Sequence, residues 1–195
     1  MNVEIYQDLL NSVGPLIAKQ NCVRISIPAN TRLEICLRYL ASGDSMKSLS
    51  YAYRVGHNTI SKIISETCNA IWTLLKDKVF PSYCEDTWKK IANEFENRWN
   101  FHNCIGALDG KHVMIQAPPH SGSTYYNYKL FHSLVLLAVC DAEYCFTFLD
   151  IGAEGRQSDG GVFRNSNLYK ALEENLIRIP PPDVIGNNGP VLPYT

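Results

Sequence analysis

Near the middle of this chain an aspartate interrupts an apolar, strand-like run, Gly106-Ala107-Leu108-Asp109-Gly110-Lys111-His112-Val113. Burying an unpaired carboxylate is costly unless a cation meets it or a proton neutralises it. A divalent metal ion is one reason to keep an acid there. Such a centre needs at least three oxygen-rich ligands, so Asp109 alone cannot form it.

The other chemistry-bearing residues are open to plainer readings. Asp141 and Glu143 fall in a predicted hairpin turn, where acids are usual. Asp150 reads as a strand-end acid facing solvent, with a metal role as the alternative. His112 could pair with Asp109, face a phosphate or be a structural strand histidine. Lys111 and Arg164 could meet a DNA backbone, though lone surface cations more often do nothing specific. His102 and Cys104 are too sparse for a zinc site. Ser158 and His132 lack the strand–turn context of a hydrolase nucleophile. Tyr125, Tyr126 and Tyr128 could stack on bases, but aromatics beside a strand are more often core.

The elements that must position these residues divide at about Asn100. Residues 1–99 read as helical. Leu33, Cys36, Leu37 and Leu40 share one helical face, and Ala41-Ser42-Gly43-Asp44 ends that helix. A short helix is predicted from about Lys47 to Tyr53, then a turn at Val55-Gly56-His57. Another helix starts near Asn58, capped by Asn58 or Thr59, with Ile60, Ile63 and Ile64 as its buried stripe. A further helix spans Trp88 to Trp99, after a break at Pro81. From Phe101 onward, apolar and β-branched runs predict strands over 104–115, 133–140 and 145–151, the last two joined by Asp141–Tyr144. A helix follows over 167–177, capped by Ser166 or Asn167 and stopped by Pro180-Pro181-Pro182. A brief strand resumes at Asp183-Val184-Ile185-Gly186. The fold class is α+β: a helical region over 1–99, then a smaller strand-rich domain over 100–195.

Composition narrows the function. The 195 residues are 46% hydrophobic and carry a formal charge of −1, which excludes a globally basic nucleic-acid coat. Residues 1–100 hold 12 Lys+Arg against 10 Asp+Glu, which leaves 6 against 9 of the totals of 18 and 19 for the rest. The acidic half is the one that would need cations, and the first half mildly favours phosphates. The seven cysteines are odd in number and show no C-x-x-C spacing, so neither a disulfide framework nor a zinc ribbon is expected. No secretory segment opens the chain and no apolar run reaches the ~20 residues of a membrane helix. The reading is an intracellular protein without a membrane partner.

Ala52 and Gly56, four apart, match a helix-turn-helix, with a small residue at the helix crossing and a glycine in a positive-φ turn. The candidate spans about residues 30–75. Its outer face offers Asn58, Thr59, Ser61 and Lys62, with Arg54 and His57 in the turn, all able to meet phosphates or base edges in a major groove. The alternative is a helical hairpin that only packs.

Four pieces in order carry a resemblance: Asp109-Gly110-Lys111-His112, Tyr126 to Leu134, Val139-Cys140-Asp141, and Gly155 to Ser166. With the strand–strand–strand–helix–strand order they resemble the ribonuclease-H-like DDE nuclease domain of PIF/Harbinger transposases and the nucleases derived from them. The resemblance covers about residues 100–190, and residues 30–75 resemble the helix-turn-helix that precedes that domain. It implies a mixed ribonuclease-H-like sheet with a helix, Mg²⁺ or Mn²⁺ as cofactor and double-stranded DNA as substrate. It also implies a nuclear location, with the cytoplasm as a second compartment, and a protein partner that supplies further DNA-binding function. Asp109 matches the first catalytic, metal-binding acid. Asp159 matches the acid of a Ser/His-Asp segment, as a ligand or in support behind the ligands. Asn187 stands where the family has its fourth-strand Asp, and a neutral oxygen is a weaker ligand for a hard ion. The sequence ends at Thr195, before the helix that would supply a Glu, so the domain reads as truncated and its cleavage as impaired. The alternative is a non-enzymatic transposase remnant that binds DNA or protein.

Overall fold

The computed structural model describes residues 1–21, 25–80, 84–185 and 189–195. The break expected at Pro81, Cys22 and the Gly186-Asn187-Asn188 stretch lie outside the described residues. The chain forms two compact units, Met1–Val79 and Phe80–Thr195. No helix among the described residues is long and apolar enough to cross a membrane.

The first unit holds α1 (Val3–Ile17), α2 (Ala29–Ser42), α3 (Met46–Tyr53) and α4 (His57–Val79). Local chemistry sets their ends. Asn2 caps α1 by accepting the Ile5 N–H at 2.8 Å, and Ser45 caps α3 by accepting that of Ser48 at 3.2 Å, each relieving an orphan first-turn donor. Helix α2 stops at Gly43, whose φ of 67° suits a residue without Cβ. The buried face of α2 is rotated from the expected one. Leu33, Ile35 and Cys36 are buried, whereas Leu40 is exposed. The reason is that α2 packs on both α1 and α4, so its apolar contacts form two stripes. Ile35 joins Leu49, Ile60, Ile63 and Ile64 in one cluster, and Leu33 joins Val13, Ile17 and Ala70 in the other.

Two polar contacts lie inside this bundle. The Arg32 side chain is buried against Glu66, which also meets Lys19 at 3.1 Å. The thiols of Cys36 (α2) and Cys68 (α4) lie 3.5 Å apart. Burial, with the Cys68 hydrogen bond second, pushes the Cys36 thiol up to about 12, so little reactive thiolate forms near neutral pH. In the folded chain at pH 8, Cys36 should therefore resist iodoacetamide while the exposed Cys145 is alkylated. Peptide mass spectrometry after a short exposure tests this, and equal labelling of the two would refute it.

The second unit begins with α5 (Glu85–Trp99), ended by Asn100 in the left-handed conformation. Strands β1 (Ala107–Met114), β2 (Ser133–Cys140) and β3 (Phe146–Glu154) form an antiparallel sheet in that order. Strand β1 starts later than the expected residue 104, because the backbone before it pairs elsewhere: the Ile105 N–H donates to the Thr195 carbonyl and the Thr195 N–H to the Asn103 carbonyl, both at 2.8 Å. The β2–β3 turn is built as expected: the Asp141 carboxylate accepts the backbone N–H groups of Glu143 and Cys145, both at 2.9 Å.

Two short helices follow, α6 (Asp159–Asn165), capped by Ser158, and α7 (Asn167–Glu173), capped by Ser166. A single helix over 167–177 was expected. The structure instead has an additional preceding helix, and α7 ends four residues earlier. The order strand–strand–strand–helix–strand is borne out, and the class is α+β. The last strands, β4 (Asp183–Val184) and β5 (Val191–Leu192), pair with each other as a separate hairpin.

The core of this unit gathers Trp88, Ile91 and Phe95 of α5 with Cys104, Ala142, Leu168 and Ile177. The Trp88 indole N–H is satisfied by the Ile177 carbonyl at 2.6 Å. A smaller cluster of Val135, Leu137 and Val162 seats α6 on the sheet. Opposed residues of an antiparallel pair share a face, and successive residues alternate. Gly110 and His112 therefore lie on the α6 side with their partners Leu137 and Val135, while Asp109 and Lys111 lie on the other side with Ala138 and Leu136.

Candidate functional site

Asp109 is the third residue of β1, opposite Ala138, and is exposed. This corrects the reading of a buried acid that must be compensated: water already solvates the carboxylate, so burial supplies no argument for a metal. Asp159 is the first residue of α6, also exposed, and lies directly over Gly110, where a Cβ would collide with its carboxylate. Because Gly110 follows Asp109 along the strand, the two acids approach the same stretch of β1 from opposite faces of the sheet. Asn187 lies outside the described residues. Among the described residues no group of three His, Cys, Asp or Glu side chains is close enough to hold a metal ion. Asp109 and Asp159, the described acids assigned to the metal, do not fit a shared ion in this arrangement.

The remaining residues take definite places. Asp150 does not simply face solvent, because its Oδ2 accepts the backbone N–H of Asn167 at the start of α7, 3.3 Å away. The His112 Nδ1 lies 2.9 Å from the Ser133 hydroxyl, which also accepts from the Asn127 amide at 2.9 Å. Asn127 in turn accepts from the backbone N–H groups of Lys129 and Phe131. Ser133 and Asn127 are buried, so His112 is oriented by a fixed polar chain rather than by Asp109. Residue-by-residue reading missed Ser133 and Asn127; the only available signal was polar residues flanking an apolar strand. Tyr126 and Tyr128, expected to be core, are exposed. With His112, Arg156, Gln157 and Asp159 they line a cleft of about 660 Å³ on the α6 side of the sheet.

In the first unit, the turn between α3 and α4 does not use its glycine for the positive φ. Arg54, not Gly56, takes the left-handed conformation, at φ 53°. The Ser50 hydroxyl closes this turn onto the Val55 carbonyl at 2.6 Å. Gly56 instead precedes α4, where its carbonyl accepts the Thr59 and Ile60 N–H groups. Ala52 is exposed and marks no helix crossing; Leu49 fills the contact with α4. Past the turn, Arg54, His57, Asn58, Thr59 and Lys62 are exposed and Ser61 is half-buried, while Ile60, Ile63 and Ile64 face the core.

Residues 108–189 match the DDE superfamily endonuclease family. The chain is 27% identical over 165 residues to the Arabidopsis thaliana protein named antagonist of like heterochromatin protein 1, an overlap covering 84% of this chain and 41% of that protein. It is 25% identical over 183 residues to an ALP1-like protein of the same plant, covering 85% and 43%. HARBI1 of Rattus norvegicus, a protein named as an unproven nuclease, is 23% identical over 168 residues, covering 86% and 48%. This chain is similar to Harbinger-derived, nuclease-like proteins of the DDE superfamily. It spans about half the length of these relatives or less. No solved structure matches it. The family match contains Asp109 and Asp159, both of which the Harbinger resemblance singles out, and ends at Gly189, just past Asn187.

Proposed function

We propose that this Harbinger-like chain is a nuclear protein that binds double-stranded DNA through the start of α4 and does not itself cleave it. The observation that carries the reading is the split surface of α4: its isoleucines are buried while Arg54, His57, Asn58, Thr59 and Lys62 stay exposed on one turn and the helix that follows. Side chains presented in this way can meet phosphates and base edges of a major groove. Residues 30–75 are thus read as a helix-turn-helix within a helical region, ahead of the nuclease-like domain over 100–195. Phosphate contacts release counterions, so affinity should fall linearly with the logarithm of salt concentration. Replacing Lys62 or Arg54 by Ala should weaken duplex binding on any sequence and reduce the salt slope by about one each. Fluorescence anisotropy with a labelled random duplex measures both. Absence of duplex binding at low salt would sink the proposal.

The opposed placement of Asp109 and Asp159 supports the non-cleaving half of the reading. A specific observation also favours catalysis, because the DDE endonuclease match spans both acids. The family resemblance implies Mg²⁺ or Mn²⁺ as the cofactor. Mg²⁺-dependent nicking of supercoiled plasmid by the purified chain, abolished by Asp109→Asn, would establish catalysis and overturn the binding-only reading. A protein partner that adds DNA-binding function is part of the same proposal and is tested by co-purification from nuclei.

A further inference from the structure

We infer that the cleft between β1, the Tyr126–Tyr128 segment and the residues leading into α6 binds an unpaired nucleotide, and so gives the second unit its own grip on single-stranded nucleic acid. This goes beyond duplex recognition by α4 and does not rest on it. The exposed tyrosines are held in place. Tyr128 is 77% exposed, yet its ring packs at right angles against His112, with centroids 5.4 Å apart. Tyr126 packs in the same way against His132 at 5.2 Å. A T-shaped partner fixes the orientation of each ring, and base stacking needs such pre-positioned rings.

Cations accompany the rings. The Lys129 ammonium lies 5.4 Å from the centre of the Tyr128 ring, and the exposed Arg156 lines the cleft. The backbone under Arg156 is tied down where its N–H reaches the Thr124 carbonyl and that of Gln157 reaches the Glu154 carbonyl. His112 is fixed from behind by Ser133 and Asn127. Aromatic surfaces beside backbone-neutralising cations make up the standard platform for single strands. A duplex hides its base faces and cannot use the rings. At about 660 Å³ the cleft is within the range of small-ligand sites, on the order of 300–1,000 Å³. Arg156 and Asp159 both line the cleft, with the Lys129 ammonium beside it on the Tyr128 ring, and rings next to cations favour a nucleotide over a basic peptide.

The test uses the 195-residue chain and a fluorescein-labelled 12-nucleotide oligodeoxythymidine at low salt, read by anisotropy. Since stacking contributes roughly 1–3 kcal/mol per base, Tyr128→Ala should weaken single-strand binding about 10-fold. Arg156→Ala should weaken it and flatten its salt dependence, while Tyr128→Phe keeps the ring and retains the affinity. Duplex affinity should be unchanged in all three. Arg54→Ala and Lys62→Ala should show the converse, so failure of the cleft and failure of the α4 reading are distinguishable. Tyr128 is exposed and its loss does not threaten folding. Single-strand binding that is absent, or unaffected by Tyr128→Ala and Arg156→Ala, overturns the inference. So does saturable binding of a labelled acidic peptide in the cleft that the oligonucleotide cannot displace.

Discussion

Glu66→Ala should destabilise the helical unit by about 3 kcal/mol, far more than removal of its partner. Glu66 reaches into the α2–α4 contact and pairs with Arg32, whose side chain is only 6% exposed. The Arg32 Nε already lacks a hydrogen-bond partner among the described residues, so loss of the carboxylate leaves a buried guanidinium largely uncompensated. Stranding one member of a buried pair typically costs about 3–5 kcal/mol, and the partial exposure of Glu66 places this case at the low end. Arg32→Met replaces the cation by an apolar chain of similar length and leaves Glu66 its contact with Lys19 at 3.1 Å. Such exchanges are often close to neutral, so a loss under about 1 kcal/mol is expected. Hydrogen exchange, which follows opening region by region, should localise the Glu66→Ala effect to residues 1–79. Equal losses in the two variants would refute the asymmetry.

The same contact has a pH signature. The hydrogen bond from Lys19, with the nearby charges of Lys19 and Arg32, holds the Glu66 carboxyl below its ordinary value of 4.5, against the opposing effect of burial. A group whose value is lowered on folding binds its proton less readily in the native state. Its stabilising contribution is therefore present above the unfolded value and lost as pH falls through the folded one. The helical unit should lose stability below about pH 4.5, and Glu66→Gln should remove that part of the acid sensitivity.

Much of this architecture was legible in the sequence because the relevant signals are local. The α4 stripe of Ile60, Ile63 and Ile64, the Ser166 cap and the Asp141 turn each depend on residues within one or two turns of chain. What failed depended on contacts distant in sequence. Leu40 has the right period for burial but is exposed among the described residues, and Ile35 takes the core position because α4 crosses there. Gly56 looked like the turn residue because glycine tolerates positive φ at least cost. The left-handed residue is instead Arg54, two positions earlier, and the Ser50 hydroxyl closes the turn by donating to the Val55 carbonyl. Composition changes at Asn100, whereas the compact unit begins at Phe80, since the apolar face of α5 is the floor of the sheet core. At the site, alternation along β1 could have separated Gly110 from Asp109. What brings Asp159 over Gly110 is the seating of Val162 against Val135 and Leu137, a long-range contact with no sequence signature.

Two glycines of this domain separate a packing requirement from a functional one. A Cβ on Gly155 would meet the Ser133 side chain, the Ser133 carbonyl at 2.5 Å and the Tyr125 carbonyl at 2.6 Å. The carbonyls cannot turn aside: the Tyr125 carbonyl accepts the Ser133 N–H at 2.8 Å, and the isolated Tyr126–His132 bridge spans the same turn. Gly155 is not at positive φ, so the requirement is space, not backbone freedom. Gly155→Ala must push apart the strand carrying Ser133 and the segment carrying Tyr125, and overpacking of this kind costs about 1–3 kcal/mol, with the upper end expected where the obstacle is backbone. Because Ser133 also orients His112, the variant should disorder the tyrosine cleft as well as lower the denaturant midpoint. Gly110→Ala meets only the end of the Asp159 side chain, which can rotate out over an exposed surface. It should cost less than about 1 kcal/mol while moving Asp159 away from β1. If Gly110→Ala proved as destabilising as Gly155→Ala, the Asp159 carboxylate would have to be held as rigidly as main chain. That would make it a fixed part of the β1 site rather than a mobile acid at its edge.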